Sequence, residues 1–274
     1  MKQNPIGVFD SGYGGLTVLK ELIALLPQYD YLYLGDNARA PYGGRSFDTV
    51  YKYTWQSIQW FFHNNCNLVI LACNTASAKA LRTIQQNDLA AMNTSKRVLG
   101  VIRPTTEVIG AISKSGHVGI FGTAGTIQSN SYPIEIAKFF PEIQVSQEAC
   151  PMWVPLIENN EHEKPGADYF IDKHVKNLLE KDASIDTVLL ACTHYPLLGR
   201  QIKEKMPANV SVVSQGDIVA RSLQSYLLKH VDLEQSISKN AGRTFFTTGD
   251  IEQFERSAKD FYGQSIKAGH VDLV

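Results

Sequence analysis

Short runs of β-branched and aromatic residues recur along this chain, each closed by turn residues and followed by a segment with helical spacing. That alternation restricts the fold more than any other feature. A strand, a crossover helix and a further strand pack as right-handed units around a mainly parallel sheet. Strands are predicted at residues 5–9, 29–34, 68–72, 98–101, 117–121, 187–191, 210–213 and 244–247. Apolar stripes run through Leu16, Leu19, Leu22 and Ile23, and through Val50, Thr54, Ile58 and Phe61 in a long helix at 46–64. Another joins Ile171, Val175, Leu178 and Leu179 at 168–181. The chain is predicted to be an α/β protein. Ligands of that class bind beyond the carboxyl ends of the strands, where turn amides and helix amino termini converge, so the residues just after each strand are the ones to read for chemistry. The polar stretch 232–243 reads as an exposed connection.

Two pairs of strand-end segments repeat in order. Ile6-Gly7-Val8-Phe9-Asp10-Ser11 aligns with Val118-Gly119-Ile120-Phe121-Gly122-Thr123, and Leu68-Val69-Ile70-Leu71-Ala72-Cys73-Asn74-Thr75 with Thr187-Val188-Leu189-Leu190-Ala191-Cys192-Thr193-His194. Matched pairs in one order indicate a duplication. They predict two pseudo-symmetric domains, each a mainly parallel sheet flanked by helices, with the active site in the cleft between them. The first domain is expected to be discontinuous, residues 1–99 plus 211–274, carrying Asp10 and Cys73; the second spans 100–210 and carries Glu158, Cys192 and His194.

If the halves are duplicated, each presents an Ala-Cys at the end of an equivalent strand, and the two thiols face each other across a shared cleft. That arrangement suits a racemase, which removes a proton from one face of an amino acid's Cα and returns one to the other. One cysteine then starts as thiolate and its partner as thiol. A free cysteine titrates near about 8.5, and a helix amino terminus or a cation brings that value towards operating pH. Both cysteines precede helical segments; Asn74 or Thr75 is expected to cap the first, and Pro196 suits the first turn of the second. The remaining cysteines, Cys66 and Cys150, have no repeat counterpart and read as structural. No Cys-x-x-Cys pair is present, so no metal site is expected.

Composition closes off other classes. Twenty-six Lys and Arg against twenty-seven Asp and Glu give a formal net charge of −1 over 274 residues, which argues against a protein that grips nucleic acid through a basic face. Apolar stretches fall far short of the roughly 18 residues a membrane span needs. The amino terminus lacks the apolar core of a signal peptide, so a cytoplasmic protein is expected. Gly12, Gly14 and Gly15 invite a dinucleotide reading, but the third glycine of Gly-x-Gly-x-x-Gly would fall at Thr17 and no Walker-type Gly-Lys-Ser/Thr follows.

Six motifs carry a resemblance. They are Gly7-Val8-Phe9-Asp10-Ser11-Gly12-Tyr13-Gly14-Gly15-Leu16, Gly35-Asp36-Asn37-Ala38-Arg39-Ala40-Pro41-Tyr42-Gly43, Ala72-Cys73-Asn74-Thr75-Ala76-Ser77 and Gly122-Thr123-Ala124-Gly125-Thr126. Cys150-Pro151-Met152-Trp153-Val154-Pro155-Leu156-Ile157-Glu158 and Ala191-Cys192-Thr193-His194-Tyr195-Pro196-Leu197-Leu198 complete the set. In sequence they span residues 7 to 198, and the chain resembles the glutamate racemases of the cofactor-independent aspartate/glutamate racemase superfamily. The resemblance implies interconversion of L- and D-glutamate without pyridoxal phosphate or another cofactor, supplying D-glutamate for peptidoglycan. By the same resemblance Cys73 takes the proton from D-glutamate and Cys192 from L-glutamate, Asp10 assisting the first and His194 the second. Glu158 matches the acidic residue that supports the histidine; spacing alone reads it as part of a solvated polar run. Asp10, Ser11, Pro41, Tyr42, Gly43, Asn74, Thr75, Thr123, Thr193 and His194 match positions that hold the substrate.

Three other readings compete. A cysteine hydrolase using Cys192 and His194 predicts a dispensable Cys73 and a covalent acyl adduct. A non-catalytic amino-acid binder predicts glutamate binding without exchange at Cα. An aspartate racemase of the same superfamily is the third, against which the Pro41-Tyr42-Gly43 and Cys192-Thr193-His194-Tyr195 segments favour glutamate. The sequence leaves the oligomer open, a homodimer being one option.

Overall fold

The computed structural model describes residues 4–92 and 94–273; residues 1–3, on which part of the signal-peptide expectation rests, lie outside the described residues. Among the described residues ten strands form two wholly parallel sheets. The first contains β1 (Ile6–Asp10), β2 (Tyr31–Gly35), β3 (Leu68–Leu71), β4 (Arg97–Gly100), β9 (Arg243–Thr247) and β10 (Ala268–His270) in the order β10-β9-β2-β1-β3-β4. The second contains β5 (His117–Gly122), β6 (Gln144–Ala149), β7 (Thr187–Ala191) and β8 (Ser211–Val213) in the order β6-β5-β7-β8.

Four consecutive strands of the first sheet, β2-β1-β3-β4, therefore have the same order as the entire second sheet. The registers agree as well. Ile6 pairs with Leu68 in the first sheet and Val118 with Thr187 in the second, the positions that the sequence repeat aligns. Central strands are covered by helices on both faces, which is why they read as unbroken apolar runs. Ile6, Val8 and Phe9 of β1 and Val188 and Leu189 of β7 are fully buried, and each such side chain contributes roughly 1.5–3 kcal/mol relative to exposure. The helix Phe47–His63 starts where the Ser46 hydroxyl accepts the Thr49 N–H at 3.2 Å, and it buries Val50, Thr54, Ile58 and Phe61 against the first sheet.

Two expectations need correction. Residues 211–213, expected in the first domain, form β8 and pair with β7 in the second sheet, because β8 is the counterpart of β4 and completes the repeat. The chain returns only afterwards, through the helix Gly216–Lys229, which packs on the helix Leu16–Leu25 of the first sheet. The stretch 232–243 is not a bare connection either. It opens in a helix, Val231–Ser236, and Ile237 is buried, with the Asn4 amide donating to the Ser236 carbonyl. No helix among the described residues is long and apolar enough to cross a membrane.

Candidate active site

The carboxyl ends of β1, β3, β5 and β7 converge at the junction of the two sheets. β1 ends in Asp10, fully buried, whose carboxylate accepts the Gly12 N–H at 3.0 Å. Burial pushes its carboxyl above the usual range, while the facing His194 pulls the other way.

Two residues past β3, Cys73 caps the helix Asn74–Lys79, its sulfur accepting the Ala76 N–H at 3.4 Å. The sequence pointed to Asn74 or Thr75 for that role; both are instead inside the first turn, and the thiol itself is the cap. Cys73 also donates to the Ser11 hydroxyl at 3.4 Å. Burial, then the Asp10 carboxylate, push its thiol up to about 12, against the pull of the Ser11 and Ala76 hydrogen bonds. A negative charge on Cys192 raises it further, so the two sulfurs share one electrostatic neighbourhood.

β7 leads into Cys192, Thr193 and His194, followed by the short turn Tyr195–Leu198 with Pro196 near its start. The Thr193 hydroxyl crosses to the first sheet and donates to Asp10 at 3.4 Å, and Thr17 donates to the Thr193 carbonyl at 3.0 Å. His194 is buried with Nε2 at 2.9 Å from Glu158, at the end of the helix Trp153–Glu158, and its ring stands edge-on to Phe261. Burial alone would lower its pKa; hydrogen bonds with Cys192 and Glu158 outweigh it and raise the ring to about 10. The imidazolium is the resting form.

The loop before Phe47–His63 carries the other predicted substrate positions. Tyr42 is buried and donates to Asp36, Gly43 accepts the Gly125 N–H at 2.7 Å, and a Cβ on Gly43 would lie 2.9 Å from the Thr123 Cβ. The Thr123 hydroxyl caps the helix Ala124–Gln128 and meets the Thr75 hydroxyl at 2.9 Å. Asn74 is buried, its amide donating to Gln215 at 2.7 Å. Of the predicted site residues, Pro41 stands apart: it is exposed, on the outer side of a loop whose buried member is Tyr42.

Two residues escaped the sequence reading. Asp36, directly after β2 and fully buried, binds Arg39, Tyr42 and Thr248. Gln215, two residues past β8, joins Asn74 to the second sheet. Reading every strand end, as the fold class recommends, would have found both. Arg39 is committed elsewhere, to Asp36 and Gln56 and over the Tyr53 ring at 4.2 Å. Among the described residues no group of three or more His, Cys, Asp or Glu could hold a metal ion.

Fold and site together define a class: an α/β protein built from two like sheets, with one thiol from each half at their shared junction. The chain belongs to the Asp/Glu/hydantoin racemase family, whose profile matches residues 6–223. It is 39% identical over 263 residues to a glutamate racemase of Geobacter metallireducens, covering 96% of this chain and 94% of that one. A glutamate racemase of Streptococcus suis is 37% identical over the full length of both. Among solved structures, the glutamate racemase isoform RacE1 of Bacillus anthracis matches with a TM-score of 0.90 at 34% identity, covering 100% of this chain and 99% of that one. The Francisella tularensis glutamate racemase in complex with D-glutamate matches with a TM-score of 0.87 at 29% identity, with the same coverage. Membership makes the chain an enzyme, an isomerase, and the resemblance read from the six motifs holds at the level of the family.

Proposed function

We propose that this protein interconverts L- and D-glutamate by transferring the Cα proton between two cysteines, Cys73 and Cys192, and that no cofactor takes part. The observation that carries the reading is that these thiols follow equivalent strands, β3 and β7, in two sheets of one topology, whose ends are joined by the Thr193–Asp10 and Thr75–Thr123 hydrogen bonds.

For D-glutamate, the Cys73 thiolate takes the proton from one face of Cα and the Cys192 thiol returns one to the opposite face; for L-glutamate the roles reverse. Cys73 rests as a thiol, because burial and Asp10 hold its proton. A bound substrate ammonium beside Asp10 opposes that effect, so binding itself favours the thiolate. On the other flank, His194, kept as imidazolium by Glu158 and Cys192, offers a donor and a positive charge to a thiolate or to a substrate carboxylate. Ser11, Tyr42, Gly43, Asn74, Thr75, Thr123 and Thr193 supply hydroxyls, an amide and backbone groups to fix the substrate between the thiols. The product fits supply of D-glutamate for peptidoglycan from a cytoplasmic pool, with no nucleic acid or membrane partner; a homodimer stays an expectation for sedimentation to test.

Incubation of the purified protein with L-glutamate in heavy water tests the reading. The expected result is decay of optical activity to zero with deuterium at Cα and no added cofactor. Cys73→Ala and Cys192→Ala are each expected to lower turnover by at least ~10²–10⁴-fold, the usual contribution of a positioned acid or base. Full turnover in Cys73→Ala would overturn the two-thiol scheme in favour of the hydrolase-like site, and glutamate bound without Cα exchange would leave a binding protein. Faster deuteration of aspartate than of glutamate would make the aspartate reading the better one.

A further inference from the structure

At the floor of the site lies a closed ring of buried polar groups. The Asn74 amide nitrogen donates to the Gln215 carbonyl oxygen at 2.7 Å, the Gln215 amide nitrogen donates to the Tyr132 hydroxyl at 2.7 Å, and that hydroxyl donates to the Asn74 carbonyl oxygen at 2.5 Å. Each member is both donor and acceptor, so the ring has one sense. The tyrosine has a single proton, spent on Asn74, and can receive only from Gln215. Flipping either amide would set like groups against one another. The second proton of the Gln215 amide reaches Thr105 at 2.9 Å and the Val101 carbonyl at 3.2 Å, and the Thr105 hydroxyl itself donates to Val101 at 2.9 Å. Every nitrogen and oxygen of the three side chains has at least one partner, and all its members are buried.

Its members come from places that matter. Asn74 follows Cys73 directly and opens the helix that the Cys73 sulfur caps. Tyr132 lies in the helix Ser131–Phe139 of the second half and feels the charge of Cys192. Val101 and Thr105 stand where the chain leaves β4 for the second sheet, and Gln215 where it returns after β8. One side chain therefore touches both crossings between the sheets, the neighbour of Cys73 and a helix of the second half.

We infer that Gln215 is a positioning residue for proton transfer: through Asn74 and Tyr132 it fixes the distance between Cys73 and Cys192 across the junction of the two sheets. The inference rests on the two-thiol reading. Proton transfer between two bases needs both at working distance from one carbon, and a displacement near 1 Å can cost about 10²-fold in rate. Because the enantiomers are isoenergetic, kcat/KM falls equally in both directions, so the informative split is between kcat and KM.

Three variants test it. Gln215→Leu keeps the volume and removes the ring; kcat is expected to fall by at least ~10-fold with KM within ~3-fold, the pattern of lost alignment. Tyr132→Phe opens the ring from the other side and is expected to behave alike. Gln215→Glu gives the signature that loss of packing would not. A protonated carboxyl can still accept from Asn74 and donate to Tyr132, whereas a carboxylate cannot donate, so this variant's kcat relative to the unaltered protein is expected to climb as pH falls. A readout independent of turnover is iodoacetamide labelling of Cys73 and Cys192 followed by peptide mass mapping, expected to accelerate at both sites in Gln215→Leu and Tyr132→Phe. Unchanged kcat in Gln215→Leu overturns the inference, as does a Gln215→Glu ratio flat with pH, which also decides the matter should Gln215→Leu fail to fold. If the unaltered protein does not racemise glutamate, the functional reading falls, and labelling unchanged between the unaltered protein and Tyr132→Phe would then overturn the ring separately.

Discussion

Asp10 and His194 set the electrostatics of the two thiols in opposite ways. Asp10 is a buried carboxylate that holds the proton on Cys73, and His194 is a buried cation beside Cys192. Asp10→Asn removes the charge that raises Cys73, so the midpoint of Cys73 alkylation against pH is expected to move down from about 12 while turnover falls, because the partner for a substrate ammonium is lost. Mapping the alkylation of Cys73 across pH checks it; a midpoint that stays or rises would show that burial alone sets the thiol. For His194 the folded value, about 10, lies above the ordinary 6.5. Its imidazolium therefore stabilises the fold fully below pH 6.5, and that contribution is lost as pH rises through about 10. Glu158→Gln should bring the His194 ring titration, followed by NMR, below its present midpoint and narrow that window. At this scale the sequence was generous with strand-end residues: Cys73, Cys192 and Asp10 could be picked from position and chemistry. Glu158 could not, since its partner His194 is 36 residues away and nothing local marks an acid that reaches a buried ring.

Elements were legible in proportion to their burial. Eight of the ten strands stood out as apolar runs, the central ones because sheet interiors covered on both faces demand them, the edge strands β4 and β8 by their short valine and leucine stretches. The two that did not, β6 and β10, are edge strands. β6 reads Gln144-Val145-Ser146-Gln147-Glu148-Ala149, polar enough to pass for a loop, and its buried acid, Glu148, is hydrogen-bonded to His174 and paired with Lys181, both from the helix Pro165–Lys181. The turn after β1 shows how closely elements of the two halves meet. A Cβ on Gly14 would lie 2.3 Å from the Thr193 hydroxyl and 2.4 Å from His194 Nδ1, so no larger residue fits without prising the β1 turn from the end of β7. Gly14→Ala is expected to lower kcat by on the order of 10-fold or more while leaving the far-ultraviolet circular dichroism unchanged. The glycine that invited a dinucleotide reading is there for close approach of the other sheet. Wild-type kinetics in that variant would show that the halves can separate without harm.

Duplication explains the molecule as a whole. Two copies of one four-strand order, β2-β1-β3-β4 and β6-β5-β7-β8, face each other at the ends where chemistry collects, and β9 and β10 extend only the first. Each copy brings one of the two proposed thiols, Cys73 after β3 and Cys192 after β7. A substrate held between them then links the unfolding of both halves, which adds stability of about 2.7 kcal/mol at a concentration one hundred times its dissociation constant. For a chain of this size that corresponds to a rise in Tm of roughly 5 °C or more. The two enantiomers make the measurement sharper. In the unaltered protein L- and D-glutamate must give the same shift once equilibrated, because the enzyme turns either into the racemate before the scan begins. Cys73→Ala binds but does not equilibrate, so each enantiomer stays as added, and the two shifts are expected to differ by whatever difference in affinity the asymmetric pair of half-sites imposes. Unequal shifts in the unaltered protein would reverse the logic, since they require that the intact pair of thiols does not interconvert the enantiomers before the scan.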